Sequence, residues 1–198
     1  LNKGYLLVRN YFSLISAGTE EKKVSIAQKG YIGKAKEKPE QIKQVIDAFK
    51  KEGIASTYKK VMNKLDALSP LGYSTVGEVI RVGEGITNYK VGDKVACGGD
   101  GLANHAEVVS VPENLLAKLP NKVKIEEGAY ITIGAIAMQG LRRADLRLGE
   151  SCAVIGLGLL GQLTVQMLKA SGVKVAGIDI DSDMVELAKK SGADIAFI

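Results

Sequence analysis

The chain has 198 residues, of which 46% are hydrophobic and 25% are charged, a composition typical of a globular protein with its own core. No stretch approaches the roughly 18 consecutive apolar residues of a membrane span, and the first residues lack the apolar core of a signal peptide, so we expect a soluble, cytoplasmic protein. Two cysteines far apart in sequence and a single histidine provide too few ligands for a Cys/His zinc site, and we expect two free thiols.

The positive charge is concentrated in one segment. The net charge is +5, and residues 22–64 carry twelve lysines against four acidic residues. A concentrated basic segment is one signature of nucleic-acid binding. Here the lysines are scattered over segments of helical periodicity without arginine and with few aromatic residues, so the pattern favours a solvated surface and no nucleic-acid partner.

The first third of the chain combines one strand with several helices. Residues 5–12 are rich in strand-forming side chains, and the turn-like segment 15–20 follows them. A short helix is predicted around residues 22–28. Apolar residues at i, i+3, i+4 and i+7 then predict two amphipathic helices, with their stripes at Ile42–Phe49 and Ile54–Leu65.

Between residues 72 and 120, short β-rich runs alternate with glycine turns, a spacing that predicts a small β-barrel. The predicted strands are Ser74–Val82, Lys94–Cys97, His105–Val111 and Leu115–Leu119. A mostly apolar helix is predicted next, from Ile125 to Arg143. Its buried side is predicted to contain Ala129, Ile133, Ile136, Ala137 and Gly140.

From Ser151 onward the pattern alternates between strands and helices. The predicted order is strand Ser151–Ile155, helix Leu159–Ser171, strand Val173–Ile178, helix Ser182–Ser191 and strand Asp194–Phe197. This alternation is typical of parallel strands in a doubly wound sheet. Because such a sheet needs further strands after the third, we expect an incomplete Rossmann unit and no activity from the fragment by itself.

A glycine fingerprint opens the first helix of that unit. Gly156, Gly158 and Gly161 form a G-x-G-x-x-G pattern directly after a hydrophobic strand, the context in which the pattern binds a dinucleotide. The first glycine permits the tight turn, the second lets a pyrophosphate approach, and the third lets the helix pack on the strand. Leu159 and Leu160 begin the helix, whose free N–H groups would bind the phosphates.

An acidic residue ends the second strand of the unit. Asp179 lies where a carboxylate accepts hydrogen bonds from both ribose hydroxyls of adenosine, and its charge would repel a 2′-phosphate. The sequence therefore favours NAD over NADP as the cofactor. Asp181 is the competing acid, although its place beyond the strand suits a turn or helix cap. A methyltransferase, or a glycine-rich turn without a ligand, remains an alternative interpretation.

The order of these parts resembles the medium-chain dehydrogenase/reductase superfamily, the relatives of the zinc alcohol dehydrogenases. The matching segments are Ile15–Glu20, Leu71–Val79, Val82–Gly85, Tyr89–Val95, Asn104–Glu107 and the glycine fingerprint. The resemblance implies an α/β plus β fold, with a GroES-like β-barrel substrate domain over residues 1–120 that includes a helical insertion over 21–70. A bridging helix and the incomplete doubly wound parallel sheet of a Rossmann NAD-binding domain would occupy residues 121–198.

Within the superfamily, the chain resembles the amino-terminal half of bacterial two-part dehydrogenases, which fuse a zinc-free module to an inositol-2-dehydrogenase-like module. This narrower resemblance rests on Ser16–Glu20, Pro70–Ser74 and Ile155–Gln162. It implies a sugar or nucleotide-sugar substrate, a role in polysaccharide biosynthesis and a homo-oligomeric full-length protein. We expect the insertion to border the active cleft, with its lysines attracting an anionic substrate.

The sequence departs from the zinc-binding members at every ligand position. Those members carry a Cys where this chain resembles them at Ala17, a His-Glu pair at Tyr73 and Ser74, and a further Cys at Ile131. None of these four side chains is a thiolate, imidazole or carboxylate ligand. The four-cysteine lobe that binds structural zinc is also absent, so the resemblance implies a zinc-free protein.

Three residues are the candidates for catalysis. Tyr73 replaces a ligand histidine and is the first candidate for proton donor, although a tyrosine packed at the barrel rim is an equally simple interpretation. Thr19 and Glu20 lie in the loop that, by resemblance, faces the substrate. Glu20 also suits a helix N-terminus, where an acid complements the helix dipole. His105 is assigned a structural role within a barrel strand.

The sequence therefore predicts an NAD(H)-dependent, zinc-free oxidoreductase that transfers hydride to or from a hydroxyl or carbonyl group of a small, sugar-like molecule. Two alternatives stay open. One is an NADPH-dependent quinone or enone reductase, against which Asp179 argues. The other is a non-catalytic scaffold that binds NAD. We expect no membrane partner.

Overall fold

The computed structural model describes residues 1–28, 70–147 and 149–198, in which the chain forms two sheets and four α-helices. The strands are β1 Tyr5–Ser13, β2 Ser74–Val82, β3 Lys94–Gly98, β4 Val108–Pro112, β5 Leu116–Lys118, β6 Ser151–Ile155, β7 Lys174–Ile178 and β8 Ile195–Phe197. The helices are α1 Ala17–Gln28, α2 Ile131–Ala144, α3 Leu159–Ala170 and α4 Ser182–Lys190. The helices predicted at 42–49 and 54–65, with most of the expected insertion, lie outside the described residues.

The five-stranded sheet has the order β4-β1-β2-β3-β5, and all of its neighbouring strands are antiparallel. Alternate side chains of these strands point to one side and form a single core cluster. Its fully buried members include Leu6, Val8, Val79, Val95 and Val111. The alternation of apolar residues thus places one face of the sheet in the core, as period-2 patterning requires.

Two local predictions at the ends of this sheet are wrong. The strand predicted from His105 begins only at Val108, and the segment before it is held by the Asn10 side chain, which donates to the Ala106 carbonyl oxygen at 2.8 Å, and by the Asn10 N–H, which donates to the Glu107 carbonyl oxygen at 2.8 Å. The predicted turn 15–20 is instead the start of α1. Its first turn closes on the Ser16 carbonyl, which accepts the N–H groups of Thr19 and Glu20 at 3.0 and 2.9 Å.

The predicted helix from Ile125 to Arg143 is two helices. A 3-10 helix covers Ile125–Tyr130 and α2 follows directly. The buried stripe keeps a four-residue spacing across the junction, but it is narrower than predicted. Ala129, Ile133 and Ala137 are buried as predicted, whereas Ile136 is 48% exposed and Gly140 is also exposed.

The three-stranded sheet has the order β6-β7-β8 with parallel strands, as the alternation of strands and helices predicts. Helices α3 and α4 pack on it, and Val154, Val175 and Ala196 from the three strands share one core cluster with both helices. The alternate residues of β6 and β8 belong to the opposite face. That face is apolar and open in the described residues, with Ile155 81%, Ile195 59% and Phe197 49% exposed.

Helix α2 connects the two sheets. It contacts α3 on one side and β2 and β3 on the other. None of the helices in the described ranges is long and apolar enough to cross a membrane. Both cysteines are free thiols, and burial raises the pKa of Cys97 to about 12, so that thiol stays protonated at neutral pH.

Candidate cofactor and substrate site

The glycine fingerprint forms a tight turn between β6 and α3. Gly156 has φ of +89°, a left-handed conformation that side chains rarely adopt. Its N–H donates to the carbonyl oxygen of Ile178 at 2.8 Å, which fixes the turn to the end of β7. The turn therefore lies at the carboxyl edge of the parallel sheet, where ligands bind in folds of this kind.

Gly161 lets α3 pack directly on that turn. A Cβ atom at this position would lie 2.0 Å from the carbonyl oxygen of Gly156 and 2.9 Å from its carbonyl carbon. No side chain fits at that distance from backbone atoms. Gly158 differs, because a Cβ atom there would meet no atom within 4 Å. The third glycine thus serves packing, whereas the second leaves open space beside the loop.

The N-terminus of α3 presents free hydrogen-bond donors. The first N–H to bond back to the helix N-cap, Gly158, is that of Gln162, so the N–H groups of Leu159, Leu160 and Gly161 precede the helical ladder. Gly158 offers no side-chain cap for them. These donors and the positive end of the helix dipole suit the two phosphates of a dinucleotide. The residues present therefore fit a nicotinamide dinucleotide.

Asp179 is held at the end of β7 by two backbone bonds. Its Oδ2 accepts the N–H of Leu157, and its Oδ1 accepts the N–H of Asp181 at 2.9 Å. These bonds hold the pKa of Asp179 below its usual range, the Leu157 bond most strongly. A carboxylate has about four acceptor sites, so this one can still bind two hydroxyls. Asp181 is the N-cap of α4 and accepts the Asp183 N–H at 2.9 Å.

Gln162 stabilises the same loop from inside and was not among the predicted residues. Its buried side-chain amide donates to the carbonyl oxygens of Leu157 and Met184, both at 2.9 Å. It therefore ties the glycine turn to α4. A polar residue at a buried position of an amphipathic helix is the only sequence signal that pointed to this role.

Tyr73 and Ser74 are fixed at the start of β2 by contacts with α2 and the preceding 3-10 helix. Ser74 is 1% exposed, and its Oγ donates to the Ala129 carbonyl oxygen at 2.6 Å and accepts the Thr132 N–H at 3.2 Å. The hydroxyl of Thr132 donates to the Tyr73 carbonyl oxygen at 3.1 Å. The tyrosine side chain is 9% exposed. Both residues thus belong to the contact between β2 and α2, the helix that connects the two sheets; this contact is called the joint below.

Three of the four positions that resemble zinc-ligand positions lie together, because Ile131 begins α2 and Tyr73 and Ser74 are bonded to the next residue, Thr132. Ala17 begins α1 three residues after Leu14, whose N–H binds the Ser74 carbonyl at 3.0 Å. In the part of the chain that the structure describes, no three His, Cys, Asp or Glu side chains are grouped to hold a metal ion.

Glu20 and His105 form a pair beside Tyr73. His105 Nε2 lies 3.1 Å from each carboxylate oxygen of Glu20, a residue only 8% exposed, and His105 Nδ1 lies 2.8 Å from Ser13 Oγ. The backbone of Gly72 packs against His105. A Cβ atom at Gly72 would lie 2.7 Å from the backbone nitrogen of His105 and 2.8 Å from its ring nitrogen Nδ1. His105 lies in the loop before β4, and the predicted placement in a strand is wrong.

Helix α1 makes a second polar contact with the same loop region. Lys23 forms an ion pair with Asp100, at the far end of the loop that leads to His105. Thr19 is exposed in the first turn of α1, and its Oγ1 accepts the Ser16 hydroxyl at 3.3 Å. The structure therefore joins Glu20, through His105, to the Leu71–Gly72 segment that precedes Tyr73.

The comparison with known proteins begins with one family model. Residues 47–121 match the alcohol dehydrogenase GroES-like domain. Among curated proteins, the (R,R)-butanediol dehydrogenase of Bacillus subtilis is 34% identical in an alignment of length 152 that covers 63% of this chain and 43% of that protein. D-guloside 3-dehydrogenase of Escherichia coli K12 is 34% identical over 125 residues, 63% of this chain and 35% of that protein. The chain spans less than half the length of these relatives.

Solved structures agree on the architecture. The 2R,3R-butanediol dehydrogenase of Bacillus subtilis is similar at a TM-score of 0.59 and 34% identity, over 66% of this chain and 44% of that one. The quinone oxidoreductase of Coxiella burnetii has a TM-score of 0.71 at 20% identity over 100% of this chain and 54% of that one, a likeness of fold alone. The GroES-like family match and the dehydrogenase relatives support a place for the chain in the medium-chain dehydrogenase/reductase superfamily.

Proposed function

We propose that the full protein is an NAD(H)-dependent, zinc-free oxidoreductase that acts on a hydroxyl or carbonyl group of a sugar-like small molecule. The observation that carries the proposal is the pairing of free N–H groups at the start of α3 with the fixed carboxylate of Asp179. The similarity to butanediol and D-guloside dehydrogenases supports a hydroxyl-bearing substrate. A sugar or nucleotide sugar, polysaccharide biosynthesis and a homo-oligomer extend the same proposal.

Each candidate residue has a defined task under this proposal. The N–H groups of residues 159–161 bind the pyrophosphate, and Asp179 accepts the ribose hydroxyls. The nicotinamide, when bound, supplies the hydride chemistry. The protein must then orient the substrate oxygen and exchange its proton. Tyr73, Thr19 and Glu20 are the proposed groups for that task, and residues 1–120 and 121–198 are the proposed substrate and cofactor domains.

The test of the cofactor assignment is the substitution Asp179→Ser. We expect the wild type to bind NADH more tightly than NADPH, because a carboxylate accepts hydroxyls and opposes a phosphate. The serine variant should narrow this preference by about tenfold or more, the order of one charge-assisted hydrogen bond. Fluorescence titration of both cofactors measures the ratio.

Asp181→Ser is the matched control, because it removes a carboxylate two residues away while serine keeps the cap of α4. Its cofactor preference should equal that of the wild type. A wild type that prefers NADPH would contradict the assignment and favour the quinone or enone reductase alternative, whose structural support is the shared fold.

The zinc-free part is tested by elemental analysis. Full-length protein dialysed against a chelator should contain far less than one zinc per chain, because Ala17, Tyr73, Ser74 and Ile131 provide no thiolate, imidazole or carboxylate. A zinc alcohol dehydrogenase carried through the same dialysis is the control for metal loss. Stoichiometric zinc in the dialysed protein would show that these positions have been matched to the wrong residues.

A protein that binds NADH without turning over any hydroxyl substrate would favour the scaffold alternative.

A further inference from the structure

Glu20 is an acid without an arginine or lysine partner in the described residues, and its geometry is set by other groups. It is 8% exposed, and its Oε1 accepts the Ser16 N–H at 3.1 Å. The remaining hydrogen bonds of both carboxylate oxygens go to one imidazole nitrogen, His105 Nε2. Oε2 therefore has the larger unused acceptor capacity of the two oxygens.

The contacts of His105 determine how its ring must be protonated. Nε2 faces two carboxylate oxygens, which only accept hydrogen bonds, so Nε2 carries a hydrogen. In the neutral ring Nδ1 is then an acceptor, and the Ser13 hydroxyl at 2.8 Å donates to it. The Glu20 carboxylate, which only accepts, thus selects the tautomer, and the Ser13 hydroxyl, which can donate or accept, anchors the opposite ring nitrogen. A buried acid, an oriented imidazole and an anchoring hydroxyl are therefore hydrogen-bonded in series.

The backbone around the ring is also built for this contact. The His105 N–H donates to the Leu71 carbonyl oxygen at 2.9 Å, and Gly72 leaves the space that the imidazole occupies. The side chain is 24% exposed, so the ring is confined from the side of Gly72, Ser13 and Glu20. His105 therefore joins three segments that carry or adjoin the candidate catalytic residues: the end of β1, the first turn of α1 and the residue before Tyr73.

We propose that His105 is a positioning residue of the dehydrogenase site, which holds the Glu20 carboxylate so that Oε2 exchanges the proton of the substrate hydroxyl. The inference rests on the proposed function. A bound nicotinamide would supply the hydride chemistry, and Glu20 would accept the proton of the alcohol during oxidation and return it to the oxygen in the reverse reaction. His105 changes neither bond; it restricts the carboxylate to one rotamer through Nε2–H, and the Ser13 hydroxyl anchors the opposite ring nitrogen.

The experiment compares four variants of the full-length protein. His105→Ala removes the donor to Glu20, and His105→Gln replaces it with a side-chain amide that still donates. Ser13→Ala removes the hydrogen bond that anchors Nδ1 of the ring. Lys23→Met is the matched control, because it breaks the other polar contact of α1 with the same loop and leaves Glu20 paired. Thermal unfolding of each variant accompanies the kinetics.

The proposal predicts a pattern across these variants. His105→Ala should lower kcat by about tenfold to a hundredfold, the lower part of the range for acid–base catalysis, with the Kd of NADH unchanged. His105→Gln should recover most of the kcat, and Ser13→Ala should lose less than His105→Ala. Lys23→Met should keep kcat within about twofold, even if its Tm falls, because the Lys23–Asp100 pair does not contact Glu20. Surface ion pairs of this kind contribute little to stability.

Three results would overturn the proposal. His105→Ala with an unchanged kcat would mean that Glu20 needs no such partner. Equal losses in His105→Ala and Lys23→Met would mean that His105 only docks α1. A glutamine variant as defective as the alanine variant would exclude orientation by a donor.

A second measurement separates this inference from the proposed function. Nitrogen NMR of the imidazole, assigned by its disappearance in His105→Gln, should show the Nε2–H tautomer in the wild type and in Ser13→Ala, because the Glu20 carboxylate only accepts hydrogen bonds. Absence of any nicotinamide-dependent turnover in the wild type would remove the proposed function and the catalytic task of Glu20 together. Normal turnover with the Nδ1–H tautomer would remove the positioning role alone.

Discussion

Alanine in place of Gly161 is expected to abolish cofactor binding, the largest effect of any single methyl group in the cofactor unit. The added Cβ would lie 2.0 Å from the Gly156 carbonyl oxygen, which itself belongs to a turn fixed to Ile178. The backbone of Gly156 or Gly161 cannot move without disrupting the turn that connects β6 to α3. We expect about 3 kcal/mol of destabilisation, at the upper end of overpacking costs, and at least a hundredfold loss of NADH affinity.

Two other glycines in helical or capping positions provide the controls. Gly158→Ala adds a methyl group in open space at φ −65°, so the fold should persist while the approach of a pyrophosphate is obstructed. Gly140→Ala lies on the exposed side of α2 with no atom near the new Cβ, and it should be neutral or stabilise by up to about 1 kcal/mol. Chemical unfolding and NADH titration distinguish the three. A stable Gly161→Ala variant with normal affinity would contradict the packing argument.

The joint between the sheets should be almost as sensitive to Ser74→Ala. The substitution removes one hydroxyl that both donates to the Ala129 carbonyl and accepts the Thr132 N–H, and it leaves two backbone groups at a buried site without a partner. Taking about 1–3 kcal/mol for each of the two unsatisfied groups, we expect a loss of about 2–6 kcal/mol in the free energy of unfolding. Because Thr132 also holds Tyr73, kcat should fall as well.

Ser110→Ala measures the cost of losing a serine in the same sheet without such bonds. Ser110 is exposed on β4, and substitutions of this kind change stability by less than about 0.5 kcal/mol. Urea unfolding of both variants gives the comparison. A Ser74→Ala variant as stable as Ser110→Ala would mean that water or a backbone shift replaces both bonds.

The parallel sheet and its helices were predicted to within one or two residues at each end, because their signals are local. A strand, a glycine turn and an amphipathic helix each occupy one stretch of sequence, and the fingerprint links them. The segment 15–20 misled for a related reason. Serine, glycine and threonine are typical of turns, but the same residues begin helices, and only the bonds of Thr19 and Glu20 to Ser16 distinguish the two.

The surroundings of Glu20 and His105 depend on contacts between residues far apart in sequence, and they were predicted less well. His105 looked like a strand residue because valines follow it, yet its ring is held by Glu20 and Ser13, which are 85 and 92 positions away. No periodicity encodes a pair at that separation. The glycines of the turn between β6 and α3 were recognised because their spacing follows from the backbone geometry of that turn. The role of Gln162 depends on the placement of α4, which only the structure shows.

The two backbone bonds of Asp179 also affect the thermodynamics of ligand recognition. A free surface aspartate loses rotamer entropy when it binds a ribose, a cost of roughly 0.5–1.5 kcal/mol for each side chain immobilised at an interface. The N–H groups of Leu157 and Asp181 already confine this carboxylate, so that loss occurs when the domain folds. Under the proposed NAD binding, this preorganisation would let the affinity retain most of the enthalpy of the ribose hydrogen bonds.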